Sequence, residues 1–401
     1  MRGLVLEGGG AKGAFHIGAY KALTEMGIEI NAVAGTSIGA LNGAMIVQGD
    51  VDKAYKLWYN IKPAKVFNIN EKYMQEIKNF DINKNNIKYL LRKAKQIMGN
   101  RGLDIKLIKQ ILRDNIKEDE IRKSNIEFGI ITISLSDMKP MELFIENIPQ
   151  GKLVDYLLAS ANLPAFKIEK LDGKLFIDGG FYDNLPIKLL TSKGYKEIIV
   201  IRTFGMGRTR DVNKKELNLT YINPSEDLGR ILNFEQKKAR KNLKLGYYDT
   251  LKKFKGLKGQ RYYINSVNKE KFYIDFLLSL KKENIDKVAK LLGCKNTPCK
   301  RALFEYIIPR LLELMDIKRE SDYQDLVIYF YEKLAEKNNI ERFKIYSFRE
   351  FTERVRENFD HQKYNNHYIP DFIKKSDILS RTIKEKLVDE IIYNLLLDKL
   401  T

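Results

Sequence analysis

Residues 3 to 39 decide the fold, and they read GLVLEGGGAKGAFHIGAYKALTEMGIEINAVAGTSIG. The apolar run from Gly3 to Leu6 predicts a short strand that ends at three glycines. The next segment, Ala11 to Met26, has apolar residues at helical spacing and predicts a helix. The same order then repeats, with a strand at Ala32 to Ala34, a turn at GTSIG and a helix at Ala40 to Val47.

Strands and helices continue to alternate as far as about residue 202. We predict strands at Ile126 to Leu135, Leu175 to Ile177 and Glu197 to Arg202, and helices at Lys152 to Ala161 and Leu185 to Lys193. This alternation is typical of an α/β fold in which helices cover both faces of a mainly parallel sheet. We therefore expect a three-layer α/β domain.

The sequence pattern changes at about residue 255, after which glycine becomes sparse and helical patterns dominate. We predict an α/β domain over residues 1–255, with a loop at Gly205 to Lys215, and a mostly helical domain of unknown role over residues 256–401. The helical patterns of the second domain cover Phe272 to Leu292, Lys300 to Met315 and Gln324 to Lys337.

A Lys- and Asn-rich insert with a helical pattern interrupts the first domain at about residues 60–125. Its segment Ile87 to Met98 reads as a basic amphipathic helix. Such a helix either docks on the core through its apolar face or lies on a membrane. Both interpretations remain open.

The composition is that of a globular protein, with 44% hydrophobic and 31% charged residues. No apolar run approaches the roughly 20 residues of a spanning helix, and Glu7 and the glycines interrupt any secretory signal. Cys294 and Cys299 provide neither a disulfide framework nor a zinc site, so we expect a cytoplasmic protein. The net charge of +19 favours a phospholipid surface, a nucleic acid or an acidic protein, or else reflects an ordinary solvated surface.

The first motif that could carry chemistry is the glycine loop GGGAKG at residues 8–13. Glycines let the backbone approach a ligand closely, and free N–H groups at a helix start bind anions. The loop therefore suits an oxyanion hole or a phosphate cradle. A Walker A loop requires Lys and then Ser or Thr after its last glycine, whereas Ala14 and Phe15 follow Gly13. Lys12 either orients the loop or is solvated.

The second motif is GTSIG at residues 35–39, which has the form of a nucleophile elbow. In such an elbow Ser37 lies in a strained turn between a strand and a helix, and Gly35 and Gly39 avoid collisions with neighbouring backbone. An ordinary glycine turn is the alternative. The position between a strand and a helix of small residues favours the elbow.

The third motif, Asp178-Gly179-Gly180, directly follows the strand predicted at Leu175 to Ile177. An aspartate at the carboxyl end of a strand can reach a serine on a neighbouring strand, and the two glycines leave room around its carboxylate. The alternative is an Asp-Gly turn that joins two strands.

A serine hydroxyl is a poor nucleophile until a base accepts its proton. Of the three histidines, His16 lies in the first helix, where packing or a local hydrogen bond is expected, and His361 and His367 lie far along the helical region. Either of these two fits the order Ser, Asp, His of an α/β-hydrolase triad. That fold, however, places several strands before its nucleophile, and only 36 residues precede Ser37. We therefore predict a dyad in which Asp178 accepts the proton directly.

Taken in this order, GGGAKG, GTSIG and DGG resemble the motifs of the patatin-like phospholipase family, whose Ser-Asp dyad enzymes cleave acyl esters of lipids. The stretches ASANLP at residues 159–164 and DNLP at residues 183–186 are similar as well, and the resemblance covers roughly residues 3–205. It implies that Ser37 is the nucleophile, that Asp178 is the base and that neither a metal nor another cofactor is needed. It also implies an oxyanion hole among the N–H groups of Gly8, Gly9, Gly10 and Ala11, supported by Lys12, Gly13, Gly35, Gly39, Gly179 and Gly180.

The resemblance further implies a lipid substrate, met at a membrane surface, and no nucleic acid as partner. Three alternatives stay open at this point. The same site could transfer the acyl group to an alcohol, an inactive fold could bind lipid or a membrane, or the glycine loop could bind a nucleotide. The sequence makes no prediction of the oligomeric state.

Overall fold

The computed structural model describes residues 1–62, 105–163, 166, 170–171, 173–266, 269–294, 297–315, 322–364 and 380–400. The chain divides into two compact units, Met1–Lys253 and Phe254–Thr401. Most of the predicted insert, including the helix expected at Ile87 to Met98, lies outside the described residues. No helix in the described part of the chain has the length and apolar character needed to cross a membrane.

The described residues of the first unit form one sheet of eight strands. The strands are β1 (Arg2–Leu6), β2 (Ala32–Thr36), β3 (Glu127–Ser134), β4 (Lys139–Phe144), β5 (Lys170–Leu171), β6 (Lys174–Asp178), β7 (Glu197–Ile201) and β8 (Asn218–Ile222). Hydrogen bonds connect them in the order β5-β6-β3-β2-β1-β7-β8, and β4 also pairs with β3. The pairs from β3 through β2, β1 and β7 to β8 are parallel, whereas β4, β5 and β6 form antiparallel pairs. The mainly parallel α/β fold predicted from the sequence is confirmed.

Helices lie between most of the successive strands of the first unit along the chain. They are α1 (Ala14–Glu25), α2 (Ile38–Val47), α3 (Val51–Tyr59), α4 (Lys106–Asn115), α5 (Glu118–Lys123), α6 (Leu153–Ser160), α7 (Gly180–Asp183), α8 (Ile187–Thr191) and α9 (Gln236–Lys255). A 3₁₀ turn at Gly10–Gly13 precedes α1.

Helices cover both faces of the sheet because successive strand residues point to opposite sides. Val5 and Ala34 pack with Leu189 of α8 in one buried cluster. On the other face α2 approaches so closely that a Cβ atom at Gly43 would lie 3.1 Å from the side chain of Val33. Every residue of β2 is buried, which explains why this strand is a short apolar run without alternation.

The edges of β3 bring two distant parts of the chain together. β4 occupies one edge of β3 over residues 129–134, so β2 and β6 must share the other edge. β2 pairs there with residues 127–131, and β6, which runs in the opposite direction, pairs with residues 132–134. The carboxyl ends of β2 and β6 therefore point at each other, and Thr36 and Asp178 lie opposite consecutive residues of β3.

The second unit is mostly helical in its described part. Its helices are α10 (Glu270–Leu278), α11 (Lys282–Leu291), α12 (Cys299–Arg301), α13 (Ile308–Leu314), α14 (Tyr323–Lys337), α15 (Phe348–Glu357) and α16 (Arg381–Leu400), with a π-helical segment at Ala302–Ile307 between α12 and α13. The short strands β9 (Tyr263–Asn265) and β10 (Ile345–Ser347) form a parallel pair.

The single helix predicted over Phe272 to Leu292 is wrong, because α10 ends at Leu278 and α11 begins at Lys282. The Ser279 hydroxyl donates to the Phe276 carbonyl at 2.7 Å. Such a local bond competes with helix continuation. Leu280, between the two helices, is buried in the core of this unit.

Candidate active site

Ser37 lies in the sharp turn between β2 and α2. Its backbone has φ 57° and ψ −126°, a conformation that is costly for a residue with a side chain. α2 begins at the next residue, Ile38, and Ser37 is only 7% exposed. The turn has the strained strand-to-helix geometry of a nucleophile elbow.

Crowded backbone explains the two glycines that flank Ser37. A Cβ atom on Gly35 would lie 2.3 Å from the carbonyl carbon of Gly39. A Cβ atom on Gly39 would lie 2.2 Å from the carbonyl oxygen of Leu6 in β1. Because the obstructing atoms belong to the backbone, neither position has room for a side chain.

Asp178 ends β6 and faces the elbow along the shared edge of β3. The sequence predicts that Asp178 and Ser37 lie on neighbouring strands. In the structure, β2 and β6 lie end to end along one edge of β3. Gly179, directly after it, packs against β3 so closely that a Cβ atom would lie 2.2 Å from the Ile131 carbonyl oxygen. The Asp-Gly pair leads into α7 and does not join two strands, so the alternative of a turn between strands is wrong.

The two carboxylate oxygens of Asp178 differ. Oδ1 accepts the Gly180 N–H at 2.7 Å, whereas Oδ2 is buried and has no hydrogen-bond partner of normal geometry in the described chain. Burial of the side chain, which is 3% exposed, raises the pKa of Asp178 to about 6, and the Ser37 hydroxyl and the Gly180 N–H lower it. The carboxylate thus lies next to Ser37 with one oxygen available to accept a proton.

Ser160, at the end of α6, connects the elbow to the turn after β6. Its buried hydroxyl accepts a hydrogen bond from the Ser37 N–H at 3.0 Å and donates one to the Ile131 carbonyl at 2.6 Å. Its carbonyl accepts the Gly179 N–H at 3.2 Å. The sequence predicts no role for Ser160, which stands within ASANLP, because the partners of a hydroxyl group depend on the tertiary structure.

The glycine loop uses two of its four predicted donor N–H groups elsewhere. The Gly8 N–H donates to the Asn184 carbonyl at 3.0 Å, and the Ala11 N–H donates to the Ile231 carbonyl at 2.7 Å. The N–H groups of Gly9 and Gly10 have no partner among the described residues, and Gly10 lines the same cavity as Ser37. The N–H groups of Gly9 and Gly10 therefore remain as the candidate oxyanion donors of this loop.

A buried carboxylate and an ammonium group attach the glycine loop to the segment after β7. Glu7, which is 1% exposed, accepts the N–H groups of Thr203 at 2.7 Å and Phe204 at 2.9 Å and pairs with Arg202 at 2.9 Å. The ammonium group of Lys12 donates to the Phe204 carbonyl at 3.0 Å, and burial lowers its pKa. Lys12 thus links the glycine loop to the segment after β7.

A cavity of about 520 Å³ lies beside Ser37. Most of its lining side chains are apolar, and they come from α2, α3, α4 and α6 and from the segments next to α3, α4, α6 and α9. The apolar lining residues are Ile38, Leu41, Met45, Ala54, Leu57, Trp58, Ile61, Ile105, Ile108, Ile111, Leu112, Leu158, Ala161, Leu163, Phe166, Leu232 and Phe234. The site thus joins a strained serine, a buried carboxylate and free N–H groups to an apolar cavity.

The patatin-like phospholipase family model matches residues 4–191, which include the glycine loop, the elbow and the turn after β6. The match covers slightly less than half of the chain. Among curated proteins, the chain is 27% identical over 247 residues to the patatin-like phospholipase domain-containing protein ZK370.4 of Caenorhabditis elegans, which covers 59% of this chain and 16% of that protein.

A second curated relative gives a shorter match. The chain is 30% identical over 201 residues to the lysophospholipase nte1 of Aspergillus terreus, over 50% of this chain and 12% of that protein. The chain thus spans about one-sixth or less of the length of these curated relatives. Among solved structures, VipD of Legionella pneumophila aligns with 100% of this chain and 91% of its own, at 12% identity and a TM-score of 0.40.

The two described histidines, one within and one beyond residues 4–191, have other partners. His16 is fully buried, its pKa is lowered to about 3 by burial, and its Nδ1 lies 3.3 Å from the Asn42 amide nitrogen, so it packs as a neutral ring. His361 belongs to the second unit, where it packs against Phe359. His367 lies outside the described residues. Within the described ranges, no cluster of three or more His, Cys, Asp or Glu side chains could hold a metal ion.

Proposed function

We propose that the protein hydrolyses acyl esters of lipids, with Ser37 as nucleophile and Asp178 as the base, and that phospholipid at a membrane surface is the substrate. The observation that carries this proposal is the end-to-end arrangement of β2 and β6, which brings the serine and the unpartnered Asp178 Oδ2 together beside an apolar cavity. The names of the curated relatives support the same class of reaction.

In the proposed reaction the ester carbonyl lies next to Ser37 with its acyl chain in the cavity. The Ser37 oxygen attacks the carbonyl carbon while the hydroxyl proton passes to Asp178 Oδ2. The N–H groups of Gly9 and Gly10 stabilise the oxyanion, and the N–H of Ile38, at the start of α2, is a third candidate donor that the sequence did not indicate. The proton returns to the leaving alcohol, and water then releases the fatty acid from the acyl-enzyme.

The raised pKa of Asp178 supports its use as a base without histidine. A carboxylate with a pKa near 3.8 holds a proton weakly, whereas one with a pKa of about 6 is a stronger base and is still mostly ionised at pH 7. Burial of the side chain supplies this change. The dyad therefore requires a dry site, and the cavity provides an apolar wall for it.

The proposal is tested with Ser37→Ala and Asp178→Asn on a chromogenic acyl ester and on phospholipid. Each variant should lose roughly 10³-fold or more of kcat/KM, because the nucleophile and its base act as a unit. In the native protein kcat/KM should fall about tenfold per pH unit below pH 6, where Asp178 becomes protonated. A fluorophosphonate should label Ser37 covalently.

Asp183→Asn is the matched control. Asp183 is also a buried aspartate whose pKa is raised to about 6, mainly by burial, but the Ser37 hydroxyl contributes to the pKa of Asp178 and not to that of Asp183. This variant should keep its activity. Full activity in a folded Ser37→Ala or Asp178→Asn variant would exclude the dyad, and absence of labelling would favour an inactive lipid-binding fold.

Two further measurements separate the remaining alternatives. Product analysis with added glycerol separates hydrolysis from acyl transfer. Thermal stabilisation by ATP or GTP with magnesium would instead favour a nucleotide site.

A further inference from the structure

The charged side chains among the described residues that line the cavity all belong to lysines, namely Lys53, Lys56 and Lys62. Lys53 and Lys56 are three residues apart on α3, and Lys62 lies just beyond the end of this helix. Lys56 and Lys62 are exposed, and Lys53 is half-buried. The cavity that contains Ser37 therefore has one cationic side, and the rest of its described lining carries no charge.

Nearby acidic side chains pair with other cations. Asp52 on α3 pairs with Lys21 at 3.5 Å, and Asp50, just before α3, pairs with Lys117 at 3.3 Å. On the α4 side of the cavity, Asp155 pairs with Lys109 at 3.4 Å. Within the described part of the chain, no carboxylate forms an ion pair with any of the three lysines that line the cavity, so their positive charge is available to a ligand.

We propose that the site prefers lipid esters with a net anionic headgroup, whose phosphate lies among Lys53, Lys56 and Lys62 while the acyl chain enters the apolar part of the cavity. This inference rests on the proposed hydrolysis at Ser37. A zwitterionic headgroup carries its own cation, which cancels much of the attraction between its phosphate and the lysines. A phosphate with no such cation keeps the full attraction, worth up to roughly fivefold in binding per exposed lysine at low salt.

The first test uses short-chain phosphatidylglycerol and phosphatidylcholine with identical acyl chains, below their critical micelle concentrations. Monomeric substrates exclude a general attraction of the basic protein to an anionic surface. At low salt the native protein should have a kcat/KM on phosphatidylglycerol about tenfold or more above that on phosphatidylcholine. The ratio should fall as salt is added, because these charges are exposed to solvent.

The decisive variant is the triple substitution Lys53→Gln, Lys56→Gln and Lys62→Gln, for which the ratio should fall to about one. The matched control removes the same charge from exposed lysines that do not line the cavity, as Lys123→Gln, Lys214→Gln and Lys215→Gln, and should keep the native ratio. Hydrolysis of an uncharged acyl ester, measured in both triple variants, separates a general loss of activity from a change in headgroup preference. A native ratio near one, or an equal fall of the ratio in both triple variants, would overturn the headgroup assignment.

Trp58 gives a second measurement that does not depend on turnover. It is the single tryptophan of the sequence, it lines the cavity, and its N–H donates to the Asn42 side chain at 3.0 Å. In the inactive Ser37→Ala background, its fluorescence should report tighter binding of monomeric phosphatidylglycerol than of phosphatidylcholine, and the lysine substitutions should remove the difference. Equal affinities for the two lipids before substitution would refute the inference even if the protein hydrolyses neither.

Discussion

The two turns that meet at the proposed dyad are built on different principles. At the elbow, Ser37 has φ 57°, and its flanking glycines are pressed against backbone atoms. At the turn after β6, Gly179 has the ordinary helical values φ −61° and ψ −20°, and the unusual feature is the buried Asp178 carboxyl with its raised pKa. The backbone conformation is unfavourable at Ser37, whereas at Asp178 it is the charged form of the side chain that burial makes unfavourable.

This difference separates two requirements of the proposed reaction. The nucleophile must protrude in a fixed direction, and a sharp backbone turn provides this. The base must hold a proton more strongly than an aspartate in water, and burial provides this. Each turn should therefore respond to its own kind of perturbation, added volume at the elbow and pH at Asp178.

The largest effect is expected from added volume at the elbow. Gly39→Ala should lower the free energy of unfolding by roughly 4 kcal/mol or more, because the new Cβ atom would lie 2.2 Å from the Leu6 carbonyl oxygen and the sheet must yield. Urea denaturation measures this change. The same substitution at Gly49, which has φ 84° and open space around a Cβ atom, should cost only about 1–2 kcal/mol. Equal costs at the two sites would mean that crowding does not shape the elbow.

The next effect concerns Asp178 and should depend on pH. Its pKa is about 6 in the folded protein and 3.8 ordinarily, so between these values the folded state keeps a proton that the unfolded state has lost. The native protein therefore loses stability as the pH rises from about 4 to 6, whereas Asp178→Asn does not titrate there. The variant should gain on the order of 3 kcal/mol relative to the native protein over this window.

Urea denaturation at several pH values measures this gain. Asp137→Asn is a control of opposite sign, because the hydrogen bond from Lys174 lowers the pKa of the exposed Asp137, and the native carboxylate should stabilise the fold as the pH rises through its pKa. A stability difference between the native protein and Asp178→Asn that stays constant with pH would show that the buried carboxyl is not perturbed, and the contrast between the two turns would be lost.

The sequence predicts the strand, the turn and the helix of the elbow because their patterns are local, whereas the crowding of Gly39 against Leu6 of β1 depends on the sheet. The end-to-end arrangement of β2 and β6 could not be predicted in this way, since the pairing of a strand with one edge of β3 is a tertiary property. The strands predicted from the sequence do not include β4, β5 or β8. The dependence on tertiary structure also explains why no role could be given to Ser160.

The glycine loop shows a similar limit at the scale of single atoms. Its composition predicts free N–H groups near a helix start, but the structure shows that Asn184 and Ile231 accept two of them. Both acceptors lie far along the chain, at positions that no local pattern connects to the loop. Sequence thus predicted the kind of group that the site offers, and the packing of distant segments decides which members remain available.

The smallest effect tests the backbone strain itself. Ser37→Ala removes the hydroxyl but keeps a Cβ atom at φ 57°, whereas Ser37→Gly also removes the steric cost of that conformation. Both variants should be inactive, but the glycine variant should be more stable than the alanine variant by about 1 kcal/mol, since relief of strain is partly offset by the greater flexibility of unfolded glycine. Paired thermal and urea unfolding curves measure the difference. If the alanine variant is the more stable, the elbow is relaxed and the serine is held in place by its hydrogen bonds alone.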